Sequence, residues 1–149
     1  MIGLLSRADL PPVWLGLHAL LAAVLNETKP VWIFGSNPVA GGVLLAAGFA
    51  LIGWSAVHFA LRKTPIEPRR HPKSLITSGP FAFNRNPVYT GMWLMLMGTG
   101  LLLGSLGALL PCLLFPILIT RRFILGEEAL LRRSFGDEAD VWIARSRRW

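Results

Sequence analysis

Three long apolar runs, separated by charged or proline-rich segments, dominate the chain. The first is Leu10–Leu25, opened by Pro11-Pro12, residues suited to the first turn of a helix. The second, Val39–Leu61, is long enough to cross a bilayer. Its Gly41, Gly42, Gly48 and Gly53 are small residues that permit close helix packing. The third, Val88–Thr120, is 33 residues without a charge. As one straight helix it would be about 50 Å long at 1.5 Å per residue, against a hydrocarbon core of roughly 30 Å. Two helices are therefore expected there, with the turn inside Gly98–Gly107 and with Pro111 and Pro116 kinking the returning helix. The pattern predicts an all-α membrane bundle in one domain, 1–149. About four transmembrane helices are expected, near 10–27, 39–61, 88–104 and 106–120, the last two forming a helical hairpin.

The segments between the runs are equally patterned. Asn26–Pro38 is turn-rich and holds Trp32 and Phe34, placed as interfacial anchors. Arg62–Arg85 carries six of the fifteen Lys and Arg residues, and Arg121–Trp149 carries seven more. Such asymmetry puts both segments, and both termini, on the cytoplasmic side. Glu127–Phe135 reads as an amphipathic helix stopped by Gly136, and Asp137–Arg147 as a second short one lying at the interface. Leu10–Leu25, lacking a basic leader and a small-residue cleavage site before it, is expected to be a retained span.

Composition narrows the class. Of 149 residues 53% are hydrophobic and only 15% are charged, against about 25% in soluble domains. The net charge of +7 falls in blocks beside apolar runs, which points to lipid headgroups and not to nucleic acid. Cys112, the single cysteine, lies within an apolar run and excludes an intrachain disulfide and a cysteine zinc site. No metal-ligand pattern is present. His18 is expected to be bonded to a neighbouring helix. Trp54 and His58, four apart, share a helix face.

The stretch Leu75–Gly91 is neither a span nor an ordinary loop. It reads L-I-T-S-G-P-F-A-F-N-R-N-P-V-Y-T-G and is punctuated by Gly79-Pro80 and Asn86-Pro87. Between them lie Phe81, Phe83 and the cation Arg85. G-P-F-A-F-N-R-N-P-V-Y-T-G resembles the G-P-Y-x-x-x-R-[HN]-P-x-Y-x-G signature of the isoprenylcysteine carboxyl methyltransferase-like family. More distant phospholipid methyltransferases share the pattern. The segment from Glu127-Glu128 to Trp149 resembles the family's tail, so the likeness covers roughly residues 62–149. It implies an integral membrane enzyme that uses S-adenosylmethionine, in a bacterium an inner-membrane one.

Residue by residue, the resemblance implies a cofactor wall at Lys73, Ser74, Leu75 and Ile76. It implies further cofactor contacts at Phe81, Asn86, Pro87, Val88, Tyr89, Gly91, Glu127 and Glu128. Arg85, Asn86 and Tyr89 are the residues expected nearest the transfer. Phe81 lacks the hydroxyl of the family's tyrosine, and Ala139 and Trp142 stand where tyrosines are usual. Phe123 stands where a substrate-side arginine is expected; adjacent Arg122, with His58 and Trp54, is the candidate on the acceptor side.

The same residues suit the chemistry. Arg85 and Asn86 offer donors for a carboxylate, Glu127 or Glu128 a partner for an ammonium, and Phe81, Phe83 and Tyr89 flat faces for adenine or a sulfonium. No glycine-rich G-x-G-x-x-G follows a strand, which excludes a soluble Rossmann-type cofactor fold. Methyl transfer needs alignment and exclusion of water more than a nucleophile or metal. The expected acceptor is lipophilic or amphipathic: an isoprenylcysteine-like carboxylate, a thiol or carboxylate on a small lipophilic molecule, or a phospholipid amine. Alternatives are a membrane reductase using NADPH and a non-catalytic membrane subunit.

Overall fold

The computed structural model of the chain describes residues 9–149. It is 72% helix, with no strand among those residues. Four long helices come first: α1 (Pro11–Thr28), α2 (Pro38–Leu61), α3 (Pro87–Leu103) and α4 (Leu106–Ile119). A π-turn, Thr120–Ile124, joins α4 to α5 (Leu125–Phe135), and α6 (Asp137–Arg145) follows. A short 3₁₀ turn, Gly79–Ala82, interrupts the loop between α2 and α3.

Local chemistry sets the helix ends. Proline occupies the first turn of α1, α2 and α3, where a missing N–H costs nothing. Asn37 caps α2 by accepting from Ala40 N at 3.0 Å, and Ser105 caps α4 by accepting from Ala108 N at 3.2 Å. The turn in the long apolar run falls at Gly104-Ser105. Gly104 has φ +79°, and a Cβ there would sit 2.4 Å from the Gly35 carbonyl carbon. Both the backbone and the neighbour therefore require glycine. Gly98 and Gly100, placed within the expected turn region, lie inside α3.

Among the helices α3 is central, packing α2 on one side and α1 and α4 on the other. The α2–α3 contact is made by small residues. A Cβ on Gly48 would meet Gly91 O at 2.5 Å, and one on Gly98 would meet Gly41 O at 2.7 Å. Such approach maximises dispersion contact between two apolar helices. Gly42 and Gly53, expected to pack as well, face open space. On the other side Leu96, Ala108, Cys112, Phe115, Ile119, Phe123 and Ile124 are buried in one cluster with Ala22. His18 sits at its edge, against Phe115, and its ring nitrogen bonds Trp14 O of its own helix. Its hydrogen bond is thus intrahelical, correcting the expectation of a neighbouring helix as partner.

Proline inside α4 has a visible consequence. Pro116 has no N–H to give Cys112 O, and Trp93 of α3 donates its indole N–H there instead, at 3.0 Å. Beyond Pro116 the helix passes through the π-turn without stopping. The fourth apolar segment and the expected Glu127–Phe135 helix thus form one continuous rod, Leu106–Phe135. Two helices are long and apolar enough to cross a membrane, Pro38–Leu61 and this rod. Pro87–Leu103 is a shorter apolar helix. The exposed Trp32 and Phe34 lie at the end of the bundle where Ile33 bridges Ser105, away from the start of α3.

The close α2–α3 approach has a measurable consequence. Gly48→Val should force the two helices apart and destabilise the purified bundle by about 1–3 kcal/mol. Gly53→Ala, on the open face of the same helix, should stay within about 1 kcal/mol of the parent. Denaturant unfolding in detergent, followed by circular dichroism, reads both. Equal effects would mean that the glycine contact does not hold the pair together.

Candidate functional site

The cavity lies where the charged segments meet. Phe59 of α2, the loop Thr64–Arg70, Ser74–Ile76, Phe81, Arg85–Tyr89, Glu127-Glu128 and Trp142 all line it. It is open to solvent and has a cavity volume of about 130 Å³. Two clusters of polar side chains shape it.

The first is a clasp. The Arg85 guanidinium pairs with Glu128 at 3.2 Å, and both side chains are buried, 9% and 4% exposed. Arg85 also donates to the carbonyls of Ile143 and Ser146. Arg148 clamps Glu128 from the other side with two bonds, 2.9 and 2.8 Å. Backbone bonds run between the same segments, from Arg85 N to Arg147 O at 2.8 Å and from Arg147 N to Phe83 O at 2.9 Å. Asn86 donates its amide to Arg148 O at 3.0 Å, and Trp149 donates to Thr120 Oγ1 at 3.1 Å. Arg85 and Glu128, both expected to meet a ligand, thus spend their charge on holding the tail. Burial raises the Glu128 carboxyl, but the Arg148 and Arg85 charges outweigh it and hold the group below its ordinary value.

The second cluster is open to the cavity. Tyr89 donates its hydroxyl to Glu127 Oε1 at 2.6 Å. No other described residue bonds that carboxylate, and it is half-buried on the cavity wall. Burial pushes the Glu127 carboxyl up, against the Tyr89 hydrogen bond and the nearby Arg69 charge. Beside it α3 begins. Pro87 is its first residue, and Asn86 makes no side-chain cap. The N–H groups of Val88 and Tyr89 therefore stand at an uncapped helix N-terminus bordering the cavity, which favours an anion.

Not every expected residue reaches this place. Ser74, Leu75 and Ile76 line the cavity, but Lys73 does not; its N–H bonds Thr64 Oγ1 at 2.9 Å. Gly91 belongs to the α2 contact, where a Cβ would come 2.6 Å from Ile52 Cγ1. Phe83 is exposed outside the cavity. Trp54 is half-exposed on the outer face of α2, and His58 sits under the 3₁₀ turn with its ring nitrogen on Trp54 O. Arg122 bonds Asp9 at 2.6 Å and lies over the Trp14 ring. The three acceptor-side candidates therefore stand outside the cavity. Two residues not expected at the site stand in it. Trp142 donates its indole N–H to Phe81 O at 3.1 Å, and Arg69 lies over the Phe123 ring. Nothing in the run Arg69-Arg70 marks one arginine over the other, whereas an indole beside Ala139 on the apolar side of α6 could have been read as an inward one.

The clasp should behave as one unit. A depressed carboxyl pKa contributes stability above the unfolded value, about 4.3, that is lost as pH falls through the folded value. Tail protection in hydrogen exchange should therefore persist at pH 5 and fall in stronger acid. Glu128→Gln, which strands buried Arg85, should lose about 3 kcal/mol at neutral pH and expose residues 143–149. Unchanged exchange of the tail in that variant would dissolve the clasp.

No curated protein and no solved structure matches the chain. A phospholipid methyltransferase family model matches residues 36–138, about two thirds of its length. That span runs from the cap of α2 into α6 and takes in both polar clusters, apart from the tail that closes the clasp. With the signature around Arg85–Tyr89 and Glu127 inside the matched region, the chain belongs to the phospholipid methyltransferase family.

Proposed function

We propose that the protein is an integral membrane methyltransferase that uses S-adenosylmethionine and passes the methyl group to a lipophilic or amphipathic acceptor, a phospholipid amine first among them. Family membership supports methyl transfer at a membrane. The observation that carries the cofactor reading is the Glu127 carboxylate, which faces the cavity beside the uncapped start of α3.

The donor set fits the cofactor. Glu127 would hold its ammonium, and the Val88 and Tyr89 N–H groups its carboxylate. Phe81, Ile76 and Pro87 supply apolar wall for the adenine. Bound there, S-adenosylmethionine supplies a methyl carbon already activated by its sulfonium. The chain's residues then align and exclude water. Arg85 acts as a positioning residue, because its bonds to Glu128 and the tail set the direction in which α3 starts.

The topology we propose has four spans, α1 to α4, with both termini cytoplasmic in a bacterial inner membrane. It draws support from the meeting of the two cationic segments around one cavity, since the Asn84–Arg147 bridge joins them. On this reading the whole chain is one domain, and α5 and α6 lie at the cytoplasmic surface.

Cofactor binding to the detergent-purified protein tests the proposal. Glu127→Gln should weaken S-adenosylmethionine binding by about 1.5–3 kcal/mol with the fold intact. A cationic ligand needs the carboxylate ionised, and the Glu127 carboxyl is raised. Affinity should therefore fall as the pH drops through that raised value, and the Gln variant should lack this dependence. Transfer of labelled methyl to extracted lipid completes the test. Binding of NADPH instead would replace the proposal with a reductase, and binding of neither would leave a non-catalytic subunit.

A further inference from the structure

Arg69 is held in a way that the clasp and the cofactor contacts do not explain. It lies in the loop after α2 with φ +64°, a backbone state that costs a non-glycine residue energy and persists only where surrounding contacts impose it. Its guanidinium sits 5.0 Å above the centroid of the buried Phe123 ring, and Phe123 in turn tilts against Tyr89 at 6.4 Å. Asp9 receives one of its N–H groups at 2.6 Å. No other described residue hydrogen-bonds to it, and the side chain is 51% exposed.

Arg69 shares its bonded carboxylate, and the Glu127 carboxylate lies near enough to feel its charge. Asp9 accepts from Arg69, from Arg122 at 2.6 Å and from the Trp14 indole at 3.0 Å. One carboxylate thus faces two guanidiniums. Of the three arginines lining the cavity, Arg85 is consumed by the clasp, while Arg69 and Arg70 each give one nitrogen to a carboxylate and keep the other donors; of these two it is Arg69 that is laid on an aromatic ring. A planar guanidinium held from below by an aromatic face and from one edge by a carboxylate offers its remaining edge in a fixed direction. That is the geometry that takes two oxygens of an oxyanion.

We infer that Arg69, over the Phe123 ring, is the acceptor-recognition site of this cavity and receives the oxyanion of a membrane amphiphile. The inference rests on the methyltransferase reading for the word acceptor, but not for the anion site itself. A phosphodiester of a lipid headgroup and the carboxylate of a lipophilic acid share the required chemistry. An amphiphile anchored at Arg69 would have the Phe123 and Tyr89 rings between its anionic group and Glu127. Acceptor and cofactor groups are thereby kept on separate charges, a cation for one and a carboxylate for the other.

The test uses the full chain in an uncharged maltoside detergent. Equilibrium binding is measured for a tritiated single-chain ethanolamine phospholipid, a fatty acid of matched chain and the matched alcohol. S-adenosylmethionine binding is measured on the same samples. Arg69→Gln should weaken binding of the preferred anion about tenfold or more and leave the alcohol unchanged. Arg69→Gly, which suits the positive φ, should do the same without strain. Arg70→Gln should change little, and the anion bound more tightly by the parent identifies the source. Anion affinity unchanged in both Arg69 variants, with cofactor binding retained, overturns the inference and leaves the methyltransferase reading standing. Arg69-dependent anion binding without any cofactor binding keeps the anion site and removes that reading.

Discussion

The buried carboxylate of Glu128 is the point on which the cavity depends. It stands between two guanidiniums, one entering from the loop before α3 and one from the tail. Removing a buried charge from water is costly, and the pair is tolerable only when every partner is present. Arg85 reaches that condition by donating to tail carbonyls as well as to Glu128, so it is satisfied only when the tail is docked. Loop, α5 and tail therefore order together. Their backbone bonds at Arg85 and Arg147 do for an irregular segment what a strand partner does in a sheet. A cavity wall with little regular secondary structure can be held in this way at the end of a helix bundle.

The bundle supplies the other constraint, the direction in which α5 leaves α4. Pro116 removes one rung of the helical ladder, and Trp93 covers the freed carbonyl. A few residues later the π-turn changes the phase of the helix. Successive residues of an α-helix stand about 100° apart. After the shift Glu127 points to Tyr89 and Glu128 to Arg85, so neighbouring acids take different partners. One is spent on the fold and the other is left to the cavity. Their opposite displacements from the ordinary carboxylate range follow from that division, burial prevailing at Glu127 and two arginines at Glu128.

Much of this was legible in the chain. The apolar runs and their prolines placed three helices and the start of the fourth to within a residue or two, because length, charge exclusion and the missing proline N–H are local properties. Family membership was legible in the Gly79–Gly91 signature. What could not be read was the use of each charge. Arg85 and Glu128 look available in sequence, and only the docked tail shows them engaged with each other. Gly91 sits inside the signature, but its neighbour is a carbonyl of α2, a contact that depends on helix rotation. Arg122 stands next to Phe123 in the sequence, but Asp9, 113 positions away, holds it outside the cavity. The pairing of distant charges leaves no periodicity in the sequence.

Two of the positions where the chain differs from the signature it resembles lie together in space. Phe81 and Trp142, each where tyrosine is usual, touch each other: the indole N–H donates to the Phe81 carbonyl, and the Phe81 ring packs edge-on to Phe59 at 5.3 Å. Phe81, 5% exposed, leaves this part of the cavity wall without a hydroxyl. Trp142 supplies instead a single donor with a single fixed acceptor. Phe123, where a cation is expected, has a cation laid on its ring from another segment. At both places the neighbouring contact comes from another part of the chain, and the cation on Phe123 comes from the loop after α2, which is anchored through Asp9 at the start of α1.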